Sequence, residues 1–329
     1  MSRVTIWHED PGNAALVQRL RDAIADGGRL MVFLGAGLSF GAARLQSRAT
    51  FDYDRYGPWW PHDLPFDGPA PDDDGLPLPS WPWLTSRMCR VIALQSPPEE
   101  HSSLRSFFIE EGPPDCAQLF RQTVGEANYR EFLLAQFDTS RYDFIETTPS
   151  HAALVRLDLP LLFTTNYDEL IEAAYLEAQL SLRVSITEEQ FKVRRAERPP
   201  RHLVKLHGSI DQPDTIVLTR LDYARARAGR TEMLSSLRNE MIDTAFLFVG
   251  FSLSDPNFNL IHGDIRLVYG MNLPASYTVQ GRRNPVKDRY LRSLAVNTVW
   301  LNSWNEMPDF LTRINPAVLV PAPARAPGG

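Results

Sequence analysis

Short, uninterrupted apolar runs, each closed by a glycine or a polar cluster, recur along this chain. Leu30-Met31-Val32-Phe33-Leu34 leads into Gly35-Ala36-Gly37, and Leu161-Leu162-Phe163-Thr164 leads into Asn166. His202-Leu203-Val204-Lys205-Leu206 precedes His207, and Ala245-Phe246-Leu247-Phe248-Val249 precedes Gly250. Runs of this length, bounded by turn residues, read as buried strands. Two more are expected, at Ser276–Val279 and Thr298–Leu301. Between them the apolar spacing turns helical: Asn13–Ala25 before Gly27-Gly28, a segment starting near Leu38, and another carrying Leu170, Ile171, Ala174 and Tyr175. Pro256 after Asp255 marks a further helix start. Strands that are apolar throughout and alternate with helices predict an α/β fold, a parallel sheet covered on both faces.

Two stretches break this pattern. From Gly57 to Pro82 the chain reads GPWWPHDLPFDGPAPDDDGLPLPSWP. Proline removes an amide donor and fixes φ, so regular structure is excluded there, while the tryptophans call for a packing surface. Residues 45–83 are therefore expected to form an ordered insertion loop. The mainly helical pattern between Arg87 and Phe137 predicts a helical insertion subdomain over 84–150. A flexible tail is expected at 315–329. The whole, 1–329, then reads as a single domain with insertions.

Composition narrows the class. With 43% hydrophobic residues among 329, the chain can bury a full core. Its net charge of −6 argues against a surface that grips nucleic acid directly. No apolar run is long enough for a membrane span, and the N-terminus lacks the build of a signal peptide, so a cytoplasmic protein is expected. The two cysteines, Cys89 and Cys116, are too few and too far apart for a zinc module or a disulfide framework.

Candidate chemistry lies at the strand ends. In open parallel sheets ligands bind at the carboxyl ends of the strands, and four polar clusters fall there: GAGLS (35–39), TTNYD (164–168), HGS (207–209) and GFSLSDPN (250–257). The glycine turn suits either the approach of a pyrophosphate or tight strand-to-helix packing. It lacks the third glycine of the dinucleotide fingerprint and the Gly-Lys-Ser/Thr of a P-loop. Asp168 reads as a ligand contact or as a helix N-cap. His207, followed by glycine and opposite an asparagine, is a candidate general base or ribose contact, although a lone histidine at a strand end is usually a satisfied core residue. The other histidines have no comparable setting.

Taken in order, GAG-x-S, TTNYD, KLHGS and GFS-x-x-D-P resemble the sirtuin family, in the bacterial branch associated with antiphage defence; the resemblance covers about residues 30–300. It implies a Rossmann-like domain that takes NAD+ as substrate, without metal. On that pattern Asn166 and His207 are the catalytic residues, and Gly35, Ala36, Gly37, Ser39, Thr165, Asp168, Gly250, Ser252 and Ser254 contact the dinucleotide. Protein-deacylating sirtuins follow the glycine turn with G-I-P-x-F-R and carry a four-cysteine zinc module. Here the turn continues FGAARLQSRATF, and two cysteines cannot build the module.

The implied function is an NAD+ glycohydrolase that releases nicotinamide and ADP-ribose, linear or cyclic, and stops phage by abortive infection. The alternatives are an NAD-dependent deacylase or ADP-ribosyltransferase, and a non-catalytic sensor of NAD+ or ADP-ribose. A homo-oligomer is expected, with a separately encoded trigger such as a HerA-type ATPase or a short Argonaute. The loop at 57–83 is placed to gate the site or simply to pack beside it.

Overall fold

A computed structural model describes residues 6–26, 30–39, 42, 78–79, 81–137, 147–253, 255–270, 272–281 and 283–317. Ser254, the greater part of the proline- and tryptophan-rich loop and the tail beyond residue 317 lie outside the described residues. Seven strands form one sheet: β1 (Leu30–Leu34), β2 (Leu161–Thr164), β3 (Arg183–Ser185), β4 (His202–Lys205), β5 (Ala245–Val249), β6 (Ser276–Gly281) and β7 (Val296–Leu301). The helices are α1 (Pro11–Ala25), α2 (Trp81–Gln95), α3 (His101–Glu110), α4 (Pro113–Val124), α5 (Glu126–Phe137), α6 (Pro149–Val155), α7 (Leu170–Glu177), α8 (Glu188–Glu197), α9 (Arg220–Gly229), α10 (Thr231–Asp243), α11 (Pro256–Tyr269), α12 (Pro285–Ser293) and α13 (Met307–Ile314).

The strand order is β3-β4-β2-β1-β5-β6-β7, and every pairing is parallel. Without the three-residue edge strand β3, this is the doubly wound Rossmann-type order. The direction of winding reverses between β1 and β5, which makes their carboxyl ends the crevice where such sheets take ligands.

Alternation along the central strands divides the core. Leu30, Val32 and Leu34 of β1 and Leu247 and Val249 of β5 face a layer built from α1, α6, α7 and α13. Met31 and Phe33, with Phe246 and Phe248, face the opposite layer of α8, α10, α11 and α12. Each strand is thus apolar throughout because both of its faces are covered.

Helices α2 to α5 build a core of their own around Met88, Phe108, Phe120 and Leu133, and Tyr167, Leu170 and Ile210 of the sheet domain join it. Two boundaries differ from the expectation. Helix α2 opens at Trp81, because a proline in the first turn loses no hydrogen bond that the helix would make. Helix α6, which begins at Pro149 just inside the expected end of the insertion at residue 150, packs under the sheet beside α13, so the insertion ends before it. Where a helix is expected to start near Leu38, the described residues form a 3-10 turn, Ala36–Leu38, and the segment that follows Ser39 lies, apart from Ala42, outside the described residues up to Leu78.

Candidate active site

At the switch point, two loops cross backbone to backbone. The Gly35 amide donates to Val249 O (3.0 Å) and the Gly37 amide to Gly250 O (2.8 Å). A Cβ on Gly35 would lie 2.6 Å from Gly250 O, and one on Gly250, which has φ +64°, would lie 2.2 Å from Leu38 N. Glycine is required here so that the β1 and β5 loops can touch. The Leu38 and Ser39 amides close the 3-10 turn onto Gly35 O and Ala36 O. Four of the five amides in GAGLS therefore donate inside the protein, which gives the turn a packing role independent of any ligand.

The crossing carries Ser39 into a buried polar cluster. Its hydroxyl donates to the Asp168 carboxylate (3.1 Å to Oδ2) and accepts from Asn166 Nδ2 (3.2 Å). His151 Nε2 approaches the same oxygen at 3.4 Å. The Thr148 amide donates to His151 Nδ1 (3.1 Å), so the proton of a neutral His151 sits on Nε2 and points at Ser39. Asp168 takes the Ser39 hydroxyl, and its Oδ1 also accepts the Leu170 amide (3.1 Å) from just ahead of α7, whose N-cap position is held by Glu169 rather than by Asp168. Burial pushes its carboxyl up, against the pull of the Lys205 ammonium and of the Leu170 and Ser39 donors. Lys205, fully buried, donates to Asp168 O (2.7 Å) and Glu172 Oε1 (2.8 Å) and so ties β4 to the loop after β2.

One strand over, His207 lies two residues beyond Lys205, as Asn166 lies two beyond its ladder partner Thr164. The pairing of β2 with β4 thereby sets the two candidates side by side at one sheet edge. His207 is 3% exposed, and its Nε2 lies 3.2 Å from Asp255 Oδ2. Tyr223 donates its hydroxyl to the same oxygen (2.9 Å) and meets the imidazole edge-on. Asp255 Oδ1 meanwhile caps α11 through the Phe258 amide (2.8 Å). Burial holds the imidazole below its ordinary pKa; Asp255 opposes this, and Arg230, which donates to Leu206 O, adds to it. Gly208, at φ +83°, turns the chain against Thr215, where a Cβ would lie 2.2 Å from a carbonyl.

Two atoms stand out. Asn166 Oδ1 and His207 Nδ1 are buried without a hydrogen-bond partner. With the Asp255 carboxylate 3.2 Å from Nε2 favouring the ring proton there, Nδ1 is an acceptor, as is an amide oxygen, so whatever completes this edge must bring O–H or N–H donors. A cavity of about 10 Å3 lined by Thr165, His207, Asp255 and Asn257 has room for one water.

Residues 160–300 match the family model of the SIR2-like domain. The chain is thus similar over that stretch to a SIR2-like domain. It is 28% identical over 187 residues to the NAD(+) hydrolase ThsA of Bacillus cereus (strain MSX-D12), covering 52% of this chain and 39% of that protein. The NAD(+) hydrolase ThsA of Enterococcus faecium is 31% identical over 150 residues, 45% of this chain and 31% of that protein. The defense-associated sirtuin 2 of Bacillus subtilis is 24% identical over 178 residues, 53% of this chain and 17% of that protein. The chain thus spans at most about two-fifths of the length of these relatives.

Ser39, Asn166 and Asp168 join in one network, and His207 stands on the adjacent strand end; of these, Asn166, Asp168 and His207 fall within the matched stretch. Gly35, Gly37 and Gly250 form the crossing, with Ala36 and Ser252 exposed beside it and Thr165 half-buried next to Asn166. Among the described residues no group of three His, Cys, Asp or Glu could hold a metal, and no helix is long and apolar enough to cross a membrane. Four participants escaped the sequence reading. His151 lacks any local motif, and Tyr223 has no signal at all. Asp255 was legible only as a helix start, and Lys205 only as the one charge inside an apolar strand.

Proposed function

We propose that this chain is an NAD+ glycohydrolase whose reaction takes place at the edge formed by Asn166 and His207. The observation that carries the reading is the pair of buried, unpartnered acceptors, Asn166 Oδ1 and His207 Nδ1, beside the switch-point crossing. Ribose hydroxyls and a nucleophilic water are donors of the kind those atoms lack. The names of the ThsA relatives support the same substrate.

In this mechanism the C1′–N bond breaks with its electron pair going to the pyridinium nitrogen, which leaves as neutral nicotinamide. Asn166 Oδ1 orients the water, whose oxygen bonds to C1′ of the oxocarbenium-like ribose. His207 Nδ1, kept neutral by burial, takes the released proton and passes it to solvent. ADP-ribose, nicotinamide and one proton are the products. The buried Asp168 carboxylate, held by Ser39 and the Leu170 amide, places negative charge near the developing cation. Water placement and electrostatics of this kind supply much of the rate enhancement in such displacements.

The defence role follows the name of the Bacillus subtilis relative. On this reading the enzyme is silent until a separately encoded partner, an ATPase or a short Argonaute, assembles with an oligomer of this chain and triggers depletion of NAD+.

Incubating the protein with NAD+, with and without candidate partners, and following nicotinamide release tests the activity. Asn166→Ala and His207→Ala should each lower turnover by about 100-fold or more, the scale of losing a positioned base or an electrostatic donor. Turnover that survives both changes, or that requires an acylated lysine peptide, overturns the reading.

A further inference from the structure

The structure assigns Asp255 as the positioning residue of His207: its carboxylate oxygen, 3.2 Å from Nε2, favours the tautomer with the proton on Nε2 and so leaves Nδ1 free to accept a proton. This rests on the proposed role of His207 and adds a residue to which sequence reasoning gave only a helix-capping part. Asp255 and His207 lie on different strand ends, and the fold brings them to 3.2 Å. The carboxylate is over-determined. Oδ1 is held by the Phe258 amide at the start of α11 (2.8 Å), and Oδ2 receives the Tyr223 hydroxyl (2.9 Å). A carboxylate oxygen 3.2 Å from a ring nitrogen repels a lone pair there and attracts a proton, so the approach of Oδ2 places the proton of the neutral ring on Nε2. The chain thereby builds an acceptor–imidazole–carboxylate line, the logic of a general base oriented by a third group. Tyr223, whose phenol burial keeps protonated, holds the carboxylate from the far side.

The substitution Asp255→Asn inverts the arrangement without removing the cap. Asparagine caps helices as well as aspartate does. The Phe258 amide requires an oxygen at the Oδ1 position, so the new NH2 group falls where Oδ2 was. There it donates to Nε2, which forces the proton of the ring onto Nδ1. Two readouts follow. In 15N-labelled protein, long-range 1H–15N correlation should show His207 as the Nε2–H tautomer, and as the Nδ1–H tautomer in Asp255→Asn; this needs no NAD+ and so stands apart from the activity. In the turnover assay kcat should fall about 10- to 100-fold, the usual scale for losing an orienting partner, with KM changed less than about threefold. Tyr223→Phe, which deletes one donor and keeps the ring, should retain the Nε2–H tautomer and lose only a few-fold in kcat.

A wild-type His207 found as Nδ1–H, or an Asp255→Asn enzyme with unchanged tautomer and unchanged kcat, overturns the assignment. Wild-type protein that shows the Nε2–H tautomer but no NAD+ turnover would instead remove the glycohydrolase reading and leave the positioning intact.

Discussion

His202 and His207 occupy opposite ends of the same few residues and are both held neutral, for related reasons. His202 opens β4, bonds Ser185 Oγ through Nε2 (2.8 Å) and stacks on Phe191; burial first, then Arg194, pushes it down to about 4. His207 is lowered by burial against the attraction of Asp255. An unfolded histidine takes up its proton near pH 6.5. As the pH falls below 6.5, the unfolded chain gains protons that the native His202 refuses until about pH 4, so the native state loses stability through that window and keeps it in full above 6.5. Asp168 and Glu172, whose carboxyls burial pushes up, act in the opposite sense. The informative quantity is therefore a difference between variants. Thermal melts from pH 8 to pH 4 should show that His202→Gln, which keeps a donor and an acceptor for Ser185, is less sensitive to acid than the parent between 6.5 and 4. Parallel curves for the two proteins would place the titration elsewhere.

At the scale of elements, the sequence pattern was most informative where burial is two-sided. Strands β1, β4 and β5 were legible because a strand covered on both faces has no polar phase, and α11 because Asp255-Pro256 spells cap and first turn. Strand β3 was not: three residues at the sheet edge, only one of them buried, carry no periodicity. The polar clusters at strand ends identified Ser39, Asn166, Asp168 and His207, since each sits next to its strand. His151 and Tyr223 reach the site from helices distant in sequence, and only the packing of those helices brings them in.

The glycines make the same distinction measurable. Gly125 and Gly250 both have positive φ, +77° and +64°, but a Cβ on Gly125 meets nothing within 4 Å, whereas one on Gly250 meets the Gly37–Leu38 backbone. Gly125, at φ +77° and ψ +164°, holds a backbone conformation that suits only glycine, so Gly125→Ala should cost about 1–3 kcal/mol from backbone strain alone. Gly250→Ala should cost at least about 2 kcal/mol more, as backbone must shift. Equal losses in urea denaturation would mean that the crossing is loose.

For the whole molecule, the question is whether the helical block of α2–α5 is an appendage or a structural part of the site. Tyr167, between Asn166 and Asp168, turns away from the polar network and into the core of that block, edge-on to Phe137 at 5.0 Å. Its hydroxyl donates to Val217 O (2.8 Å), while the Val217 amide donates to His207 O (2.9 Å). The Ile210 amide, on the loop just past His207, donates to Tyr167 O (2.9 Å). The loops that carry Asn166 and His207 are thus clamped to each other through one tyrosine, and that tyrosine is seated in the helical block. Loosening the block far from the site should then loosen the clamp. Leu133→Ala, a buried truncation in α5, should destabilise the protein by roughly 2–5 kcal/mol. In native-state hydrogen exchange it should speed the Ile210 and Val217 amides together with those of α4 and α5, and leave the β6 and β7 ladder comparatively protected. Exchange that rises in α4 and α5 while Ile210 and Val217 stay at their parental rates would make the block an independent unit, and a partner docking there would have no mechanical route to the site.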